Sequence, residues 1–432
     1  MIILYFLLIL FIGFIQFRNN TEKEYFFLSR KLTFYSFIAS IVTTWYGGIL
    51  EIGNFSYHNG IVTWIIFGAF YYISAIIFGI FIGPRIYKKN IESIPKYFRK
   101  NYGLFPGIIV SLIILTISSP APYIMILAIL ISHILNIKYY YAIMIGMITS
   151  ISYVSIGGFK SIIKTDKIQF LFMFLGFFII LAYLNRNYGG IQFLINNVPK
   201  ENLTITGNLP IGYILSWSFI SMIAFIDPNI FQRTYAANNT KTIKYGLIVS
   251  VVFWFIFDLL SISIGIYASA IIKPENLIGN PYLMLADNFL PRLLKNIFYI
   301  SMLSIVMSTI DSFSFVSATT FGNDLINSKD NKIRNTQIGL LFTSIIALII
   351  IFFFNRAIDI WYVFGSIAAS AILIPFLLLI YNFKRIKRPA ICLILPIISC
   401  AFWIYAGYPY NIDAIYPGLL TSIIANYFSL RE

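Results

Sequence analysis

Apolar residues recur along the whole chain in long runs, each ended by charged residues, proline or glycine. A hydrocarbon layer about 30 Å thick needs roughly 20 apolar residues per crossing helix, so each run predicts a transmembrane helix. Thirteen are predicted, over residues 2–17, 34–53, 61–84, 106–133, 138–157, 162–185, 211–227, 243–270, 293–322, 335–354, 358–381, 389–406 and 412–428. The predicted fold class is therefore all-α integral membrane, with residues 1–432 forming one transmembrane domain.

Lysine and arginine are spread unevenly over the loops between these predicted helices. With the N-terminus outside, the inner loops 17–33, 85–105, 158–168, 228–244, 323–334 and 382–388, together with the C-terminal tail, hold 24 of the 31 basic residues. Short cytoplasmic loops collect such residues, whereas chance would divide them evenly. The pattern predicts an outside N-terminus and a cytoplasmic C-terminus, and the expected location is a bacterial inner membrane.

Composition supports this interpretation and excludes others. Hydrophobic residues make up 59% of the chain and charged residues 11%, and the mean hydropathy is +0.84, which is unlike a soluble globular domain. A net charge of +15 would suggest nucleic acid in a soluble protein, but here it reports topology. We therefore expect membrane lipid and a small solute as partners, with no nucleic acid and no obligate protein partner. The two cysteines lie in an apolar stretch without histidine and indicate neither a zinc site nor a disulfide framework.

The second predicted helix contains polar and flexible residues near the bilayer centre. Thr43 and Thr44 are followed by the glycine pair Gly47 and Gly48, and each glycine weakens a helix by roughly 1 kcal/mol relative to alanine. Unwinding here would free carbonyl oxygens that can bind a cation. Close packing of helices at small residues explains the same glycines without a site.

The ninth predicted helix has one polar face, formed by Ser304, Ser308, Asp311 and Ser312 at positions i, i+4, i+7 and i+8. Hydroxyl and carbonyl oxygens suit a hard cation such as sodium, although serine also joins neighbouring helices. An aspartate in mid-membrane costs about 2.5–3.5 kcal/mol on insertion scales, so Asp311 indicates a function. Glu51 and Asp258 are two further acids within predicted helices.

Five segments resemble signatures of the sodium/solute symporter family and occur in the family's order between residues 22 and 324. They are EYFFLSR at 24–30, TTWYGG at 43–48, GGFK with TDKIQ at 157–169, DPNIFQR at 227–233 and MSTIDS at 307–312. The resemblance implies the leucine-transporter fold, in which two five-helix repeats have inverted topology. The repeats would be 34–185 and 211–381, with one extra helix before them and two after.

The resemblance also implies ligands for a main sodium ion, on the broken second helix and the ninth. These are Thr43, Tyr46 and Ile305 through backbone oxygen, and Ser308 and Thr309 through their side chains. Some members bind a second cation, which here implies Asp166, Ser308, Asp311 and Ser312. By the predicted topology, Asp166 and Asp311 lie on the cytoplasmic side of Ser308.

Solute is expected near the broken helix and the seventh predicted helix. The candidate residues are Trp45, Gly47, Gly48, Trp217 and Ser221. Trp45 stands where some members have Asp or Asn, and Glu51 where they have apolar residues, so the solute stays open among proline, pantothenate, sugars, sialic acids and short carboxylates. The predicted function is sodium-coupled symport by alternating access.

Two alternatives to sodium-coupled symport remain open from the sequence. A proton carried by Asp166, Asp311 or Glu51 would replace sodium within the same fold. A membrane sensor with a transporter-like body is the second, although such sensors usually carry an appended signalling domain. An enzyme is not expected, because the sequence has no nucleophile and base pair, metal cluster or nucleotide loop.

Overall fold

A computed structural model describes residues 1–15, 21–326, 330–383 and 385–431, so the end of the first predicted helix lies outside the described residues. The main helices are α1 (Ile2–Phe14), α2 (Phe34–Trp45), α3 (Ile49–Asn59), α4 (Val62–Lys88), α5 (Leu104–Ile117), α6 (Ala121–Leu135), α7 (Tyr139–Tyr188), α8 (Ile211–Ile220), α9 (Pro228–Ala236), α10 (Thr240–Ile271), α11 (Arg292–Thr319), α12 (Lys332–Phe353), α13 (Ala357–Ile380), α14 (Pro389–Tyr405) and α15 (Ile415–Arg431). Short helices join them at Glu22–Phe27, Ile94–Tyr102, Ile191–Asn197 and Pro281–Phe289. The predicted all-helical fold class is confirmed.

Eight helical segments within the described residues are long and apolar enough to cross a membrane. They are Val62–Lys88, Leu104–Leu135, Tyr139–Tyr188, Ile211–Ala236, Thr240–Ile271, Arg292–Leu325, Lys332–Phe353 and Ala357–Ile380. The predicted count of thirteen is not confirmed, because other predicted crossings are short, broken in the middle, or merged with a neighbour.

Helix α7 contains two of the predicted crossings and is sharply bent between them. Its 50 residues would extend about 75 Å if straight, but Gly158 has a φ of 57° and a ψ of −146°. A Cβ at this position would also lie 2.7 Å from the carbonyl oxygen of Tyr25. Residues 158–168, predicted as an inner loop, are therefore the bend and the start of the second arm.

Two regions near the centre of the bundle, one break and one helix, differ from the prediction. The crossing predicted at 106–133 is interrupted at residues 118–120, between α5 and α6. Residues 228–236, predicted as part of an inner loop, form the buried helix α9. The side chain of Asp227 caps α9 by accepting from two backbone N–H groups, and Pro228 occupies its first turn, a combination that favours a helix start.

The predicted inner loops pack together on one face of the bundle, and the predicted outer segments pack on the other. Arg30 Nη1 lies 2.5 Å from Asn90 Oδ1, Lys89 Nζ lies 2.7 Å from Asn382 Oδ1, and Leu32 forms an isolated bridge with Ala237. On the other face, the N–H of Ile61 donates to the carbonyl of Asn202 at 2.9 Å. These contacts join segments that the sequence analysis assigned to the same side of the membrane.

Candidate functional site

The broken helix α2–α3 lies directly against α11. Regular α-helix ends at Trp45 and resumes at Ile49, and a Cβ added to Gly47 would lie 2.6 Å from Thr309 Cβ. Thr309 Oγ1 is 3.0 Å from the carbonyl oxygen of Thr44 and 3.1 Å from that of Ile305. Only glycine at position 47 permits this approach, so the predicted break and the predicted polar face meet.

All five residues predicted to bind the main sodium ion are buried at this junction. Ser308 Oγ donates to Asp166 Oδ1 at 2.7 Å. A hydroxyl has one proton and two lone pairs, so a donor bond to Asp166 leaves the oxygen of Ser308 able to bind a cation. The hydroxyl of Thr43 bonds to Ala39 in its own helix, and that of Tyr46 donates to the carbonyl of Trp254 at 2.8 Å.

A buried arginine connects four helices beside this junction. Arg233 of α9 is 0% exposed. Its Nη2 lies 2.7 Å from Ser312 Oγ, 2.8 Å from Thr44 Oγ1 and 3.5 Å from Asp166 Oδ2. Its Nε donates to Ser40 Oγ at 2.8 Å, and Ser40 also bonds to Asp166. The guanidinium therefore faces the carboxylate of Asp166, so both charges have a partner.

The four residues predicted for a second cation lie in two environments. Ser308, Ser312 and Asp166 belong to the Arg233 network. Asp311 is on another side of α11, where Ser150 Oγ donates to it at 2.6 Å and the hydroxyl of Tyr153 donates to its other oxygen. Both partners belong to the first arm of α7, whereas Asp166 is on the second arm.

A cavity of about 160 Å³ lies between the broken helices. Its walls are largely aromatic and include Trp45, Tyr71, Tyr123, Trp217, Trp254 and Trp361. Of the predicted solute residues, Trp45, Gly48 and Trp217 line this cavity, whereas Gly47 packs against Thr309 and Ser221 Oγ lies 3.1 Å from Ser74 Oγ. Asp227, Asn229 and Arg233 of the α8–α9 break supply polar groups.

The two other acids that the sequence analysis noted within predicted helices have separate partners. Asp258 of α10 is 2% exposed and accepts a hydrogen bond from the hydroxyl of Tyr72 on α4. Glu51 on α3 is partly exposed, and its Oε2 lies 4.0 Å from Arg356 Nη2.

The family resemblance extends over most of the chain. The family model for the Sodium:solute symporter family matches residues 25–392. The chain belongs to the Sodium:solute symporter family. The resemblance predicted from the five motifs is therefore confirmed, and the family and the apolar helices indicate an integral membrane protein.

The relatives of this chain are distant in sequence. The sodium/pantothenate symporter of Haemophilus influenzae is 25% identical over 224 residues, covering 50% of this chain and 46% of the relative. Solute carrier family 5 member 4 of Rattus norvegicus is 23% identical over 405 residues, covering 80% and 60%. Sodium/glucose cotransporter 1 of Ovis aries is 25% identical over 289 residues, covering 57% and 43%. The matches thus span about half the length of these curated relatives.

Solved structures resemble this chain over nearly its whole length and show its fold. A substrate-bound, outward-open Na⁺-coupled sialic acid symporter superposes with a TM-score of 0.80 at 17% identity, covering 100% of this chain and 95% of that one. A nucleobase-cation-symport-1 family transporter in a closed conformation gives 0.57 at 12% identity, covering 94% of both chains. The predicted leucine-transporter fold is confirmed.

The sequence pattern missed two parts of the candidate site. It places Arg233 in an inner loop as a topology charge, and it does not predict the break at 118–120 that places Ser119 in the cavity wall. Signals for both were present. The pair Asp227–Pro228 favours a helix start, and Ser-Ser-Pro disfavours the helical conformation before its proline.

Proposed function

We propose that this protein couples inward sodium movement to the uptake of a small organic solute by alternating access. The observation that supports this most is the contact of Thr309 with the carbonyl of Thr44, opposite Gly47. It brings the hydroxyl-rich face of α11 to the free carbonyl end of α2. Hydroxyl and carbonyl oxygens are the ligands that a hard monovalent cation prefers.

The main sodium ion is bound by the carbonyl oxygens of Thr43, Tyr46 and Ile305 and the hydroxyls of Ser308 and Thr309. Sodium between α2 and α11 would hold the two helices together and favour the outward-open state that captures solute. Its release into the cytoplasm would loosen this contact. The fold supports this cycle, since helices broken at mid-membrane form the sites of such transporters.

Sodium-driven uptake in liposomes tests the main site. Ser308→Ala removes a sodium ligand and the bond to Asp166, so we expect the sodium concentration for half-maximal uptake to rise by about tenfold, the equivalent of about 1.4 kcal/mol. Ser304→Ala is the matched control, because Ser304 lies one turn away on α11, is equally buried and bonds to Ile300 of its own helix. Unchanged sodium dependence in Ser308→Ala would remove the site assignment.

A second cation at Asp166, Ser308, Asp311 and Ser312 remains part of the proposal. Proton coupling is the alternative within the same fold, and one observation favours it. Asp311 is 0% exposed, and its hydrogen bonds within the described residues come from the neutral hydroxyls of Ser150 and Tyr153, so a bound proton would offset the cost of burying its charge in the membrane. Uptake driven by a pH gradient in sodium-free buffer would select the proton.

Pantothenate, glucose and sialic acid are the solutes for which those relatives are named, and for this chain we propose a small organic solute without choosing among them. We place the N-terminus outside and the C-terminus in the cytoplasm of a bacterial inner membrane, supported by the distribution of basic residues. Exposed apolar side chains such as Ile148, Leu171 and Phe178 would contact lipid. We assign the protein no enzymatic activity and no obligate protein partner.

A further inference from the structure

The central cavity carries a negative charge that the bundle does not balance. Among the described residues that line it, only Asp227 and Arg233 are charged. Arg233 already faces Asp166 and directs its Nε and Nη2 groups to hydroxyls. Arg233 also attracts the charge of Asp227, so its single positive charge is shared by the carboxylates of Asp166 and Asp227. The three groups together carry one net negative charge.

One oxygen of Asp227 is available to a ligand. Its Oδ1 accepts from the backbone N–H groups of Asn229 at 2.7 Å and Ile230 at 3.0 Å. Its Oδ2 has no hydrogen-bond partner within the described part of the chain, and the side chain is partly exposed at the cavity wall. Capping thus holds the carboxylate in place and occupies only one of its oxygens.

A second polar group in the same wall also lacks a partner. Asn229 is 3% exposed, and neither atom of its side-chain amide has a hydrogen-bond partner in the described structure. The indole N–H of Trp254, another wall residue, is likewise unpaired there. A buried polar group without a partner costs about 1–3 kcal/mol, so these groups indicate a bound molecule that supplies the missing hydrogen bonds.

The remaining walls favour positive charge over negative. The ring of Trp45 lies 4.9 Å from those of Tyr71 and Trp254, and the ring of Tyr123 lies 5.8 Å from that of Trp361. The faces of aromatic rings attract cations, tryptophan most strongly. An anion would be repelled by the same ring faces and by the free oxygen of Asp227. Arg233 is the cation among the described lining residues, and it already faces Asp166.

We propose that the solute carries an ammonium group, held between Asp227 and the surrounding aromatic rings, with Asn229 hydrogen-bonding its polar end. A cavity of about 160 Å³ limits such a solute to a small molecule. Solutes whose only charge is a carboxylate are rejected. This inference rests on the proposed transport function, since it names the class of solute for that function.

Binding of three probes of nearly equal shape tests the charge preference. The first is choline. The second is neohexyl alcohol, in which carbon replaces the charged nitrogen of choline. The third is the carboxylate tert-butylacetate (3,3-dimethylbutanoate), which is an anion. Tryptophan fluorescence of the purified protein in sodium chloride reports binding, because several tryptophans line the cavity. We expect choline to bind at least about tenfold more tightly than neohexyl alcohol, the equivalent of about 1.4 kcal/mol, and tert-butylacetate to bind most weakly. Equal binding of choline and the alcohol, preference for the anion, or no binding of any probe would overturn the inference.

The variant Asp227→Asn tests whether the carboxylate of Asp227 causes the preference for choline over neohexyl alcohol. Asparagine caps helices about as well as aspartate, so the variant keeps the start of α9 while losing the charge. We expect the preference for choline over neohexyl alcohol to fall by at least about threefold, with the aromatic rings retaining the remainder. Asp287→Asn removes a carboxylate outside the cavity and should leave the preference unchanged. A preference undiminished in Asp227→Asn would exclude the assigned residue. Replacing sodium by potassium then tests the proposed function separately: choline binding that ignores sodium would leave the solute class standing and remove sodium coupling.

Discussion

Asp166 and Asp311 are equally buried and lie beside the same helix, but their partners differ. Asp166 faces Arg233 at 3.5 Å and accepts from Ser308. Asp311 accepts from the hydroxyls of Ser150 and Tyr153. Arg233 therefore balances the charge of Asp166, whereas the partners of Asp311 within the described residues are neutral hydroxyls. We propose that Asp311 holds a proton or a cation in the membrane, while Asp166 stabilises the packing of the helices.

Removing the counter-charge of Asp166 should have the largest effect on stability. Arg233→Ala leaves Asp166 as an uncompensated buried charge, so we expect the free energy of unfolding in detergent to fall by about 3–5 kcal/mol. Arg186→Ala, on an exposed arginine, is the control and should stay within about 0.5 kcal/mol. Adding Asp166→Asn to Arg233→Ala should recover part of the loss. A double variant no more stable than Arg233→Ala would show that charge balance is not what Arg233 provides.

Exchanging each acid for its amide compares the two sites at constant shape. Asp166→Asn leaves Arg233 without a counter-charge and should cost about 3 kcal/mol, whereas Asp311→Asn keeps an acceptor oxygen for Ser150 and should cost about 1 kcal/mol or less. Equal losses in denaturant unfolding would mean that the two environments do not differ as their hydrogen bonds indicate.

The same Asp311→Asn variant sharpens the proposed role of this acid in transport. If Asp311 binds a second cation, loss of its carboxylate should lower the Hill coefficient for sodium in liposome uptake from about two to about one. A Hill coefficient unaffected by the substitution, together with lost pH dependence of uptake, would assign the proton to Asp311 instead.

How far the sequence predicted this arrangement differs from residue to residue. The family resemblance implied that residues 43–46 and 305–309 lie together, because its motifs are local signals in their own helices, and Thr309 contacts the carbonyl of Thr44. The partners of Asp311 could not be predicted, since Ser150 is 161 residues away and reaches it only through the bend at Gly158. The loop assignment of Arg233 was wrong because an arginine at the end of an apolar run usually marks a membrane boundary; its burial depends on Asp166, from another helix.

A third acid, Asp287, is partly exposed, and replacing it should have the smallest effect on the free energy of unfolding. It lies 3.0 Å from Lys295 Nζ, 2.7 Å from His133 Nε2 and 2.7 Å from the Tyr299 hydroxyl. Partial burial raises the pKa of this carboxyl, but the hydrogen bonds from Tyr299, Lys295 and His133 outweigh it and lower the pKa below its ordinary value. A lowered pKa means that the contribution to stability is complete above the unfolded value of about 3.9 and is lost as the pH falls through the folded value.

Asp287→Asn should therefore reduce the free energy of unfolding by only about 0.5–1 kcal/mol near pH 7, since water screens partly exposed ion pairs. The difference from wild type should shrink as unfolding is measured at pH values falling below about 4, where the native carboxylate becomes protonated. Lys273→Ala, on an exposed outer-segment lysine, provides a control without this pH dependence. A difference that grows in acid would contradict a lowered pKa for Asp287, and one as large as that of Asp166→Asn would mean that burial does not separate the two ion pairs.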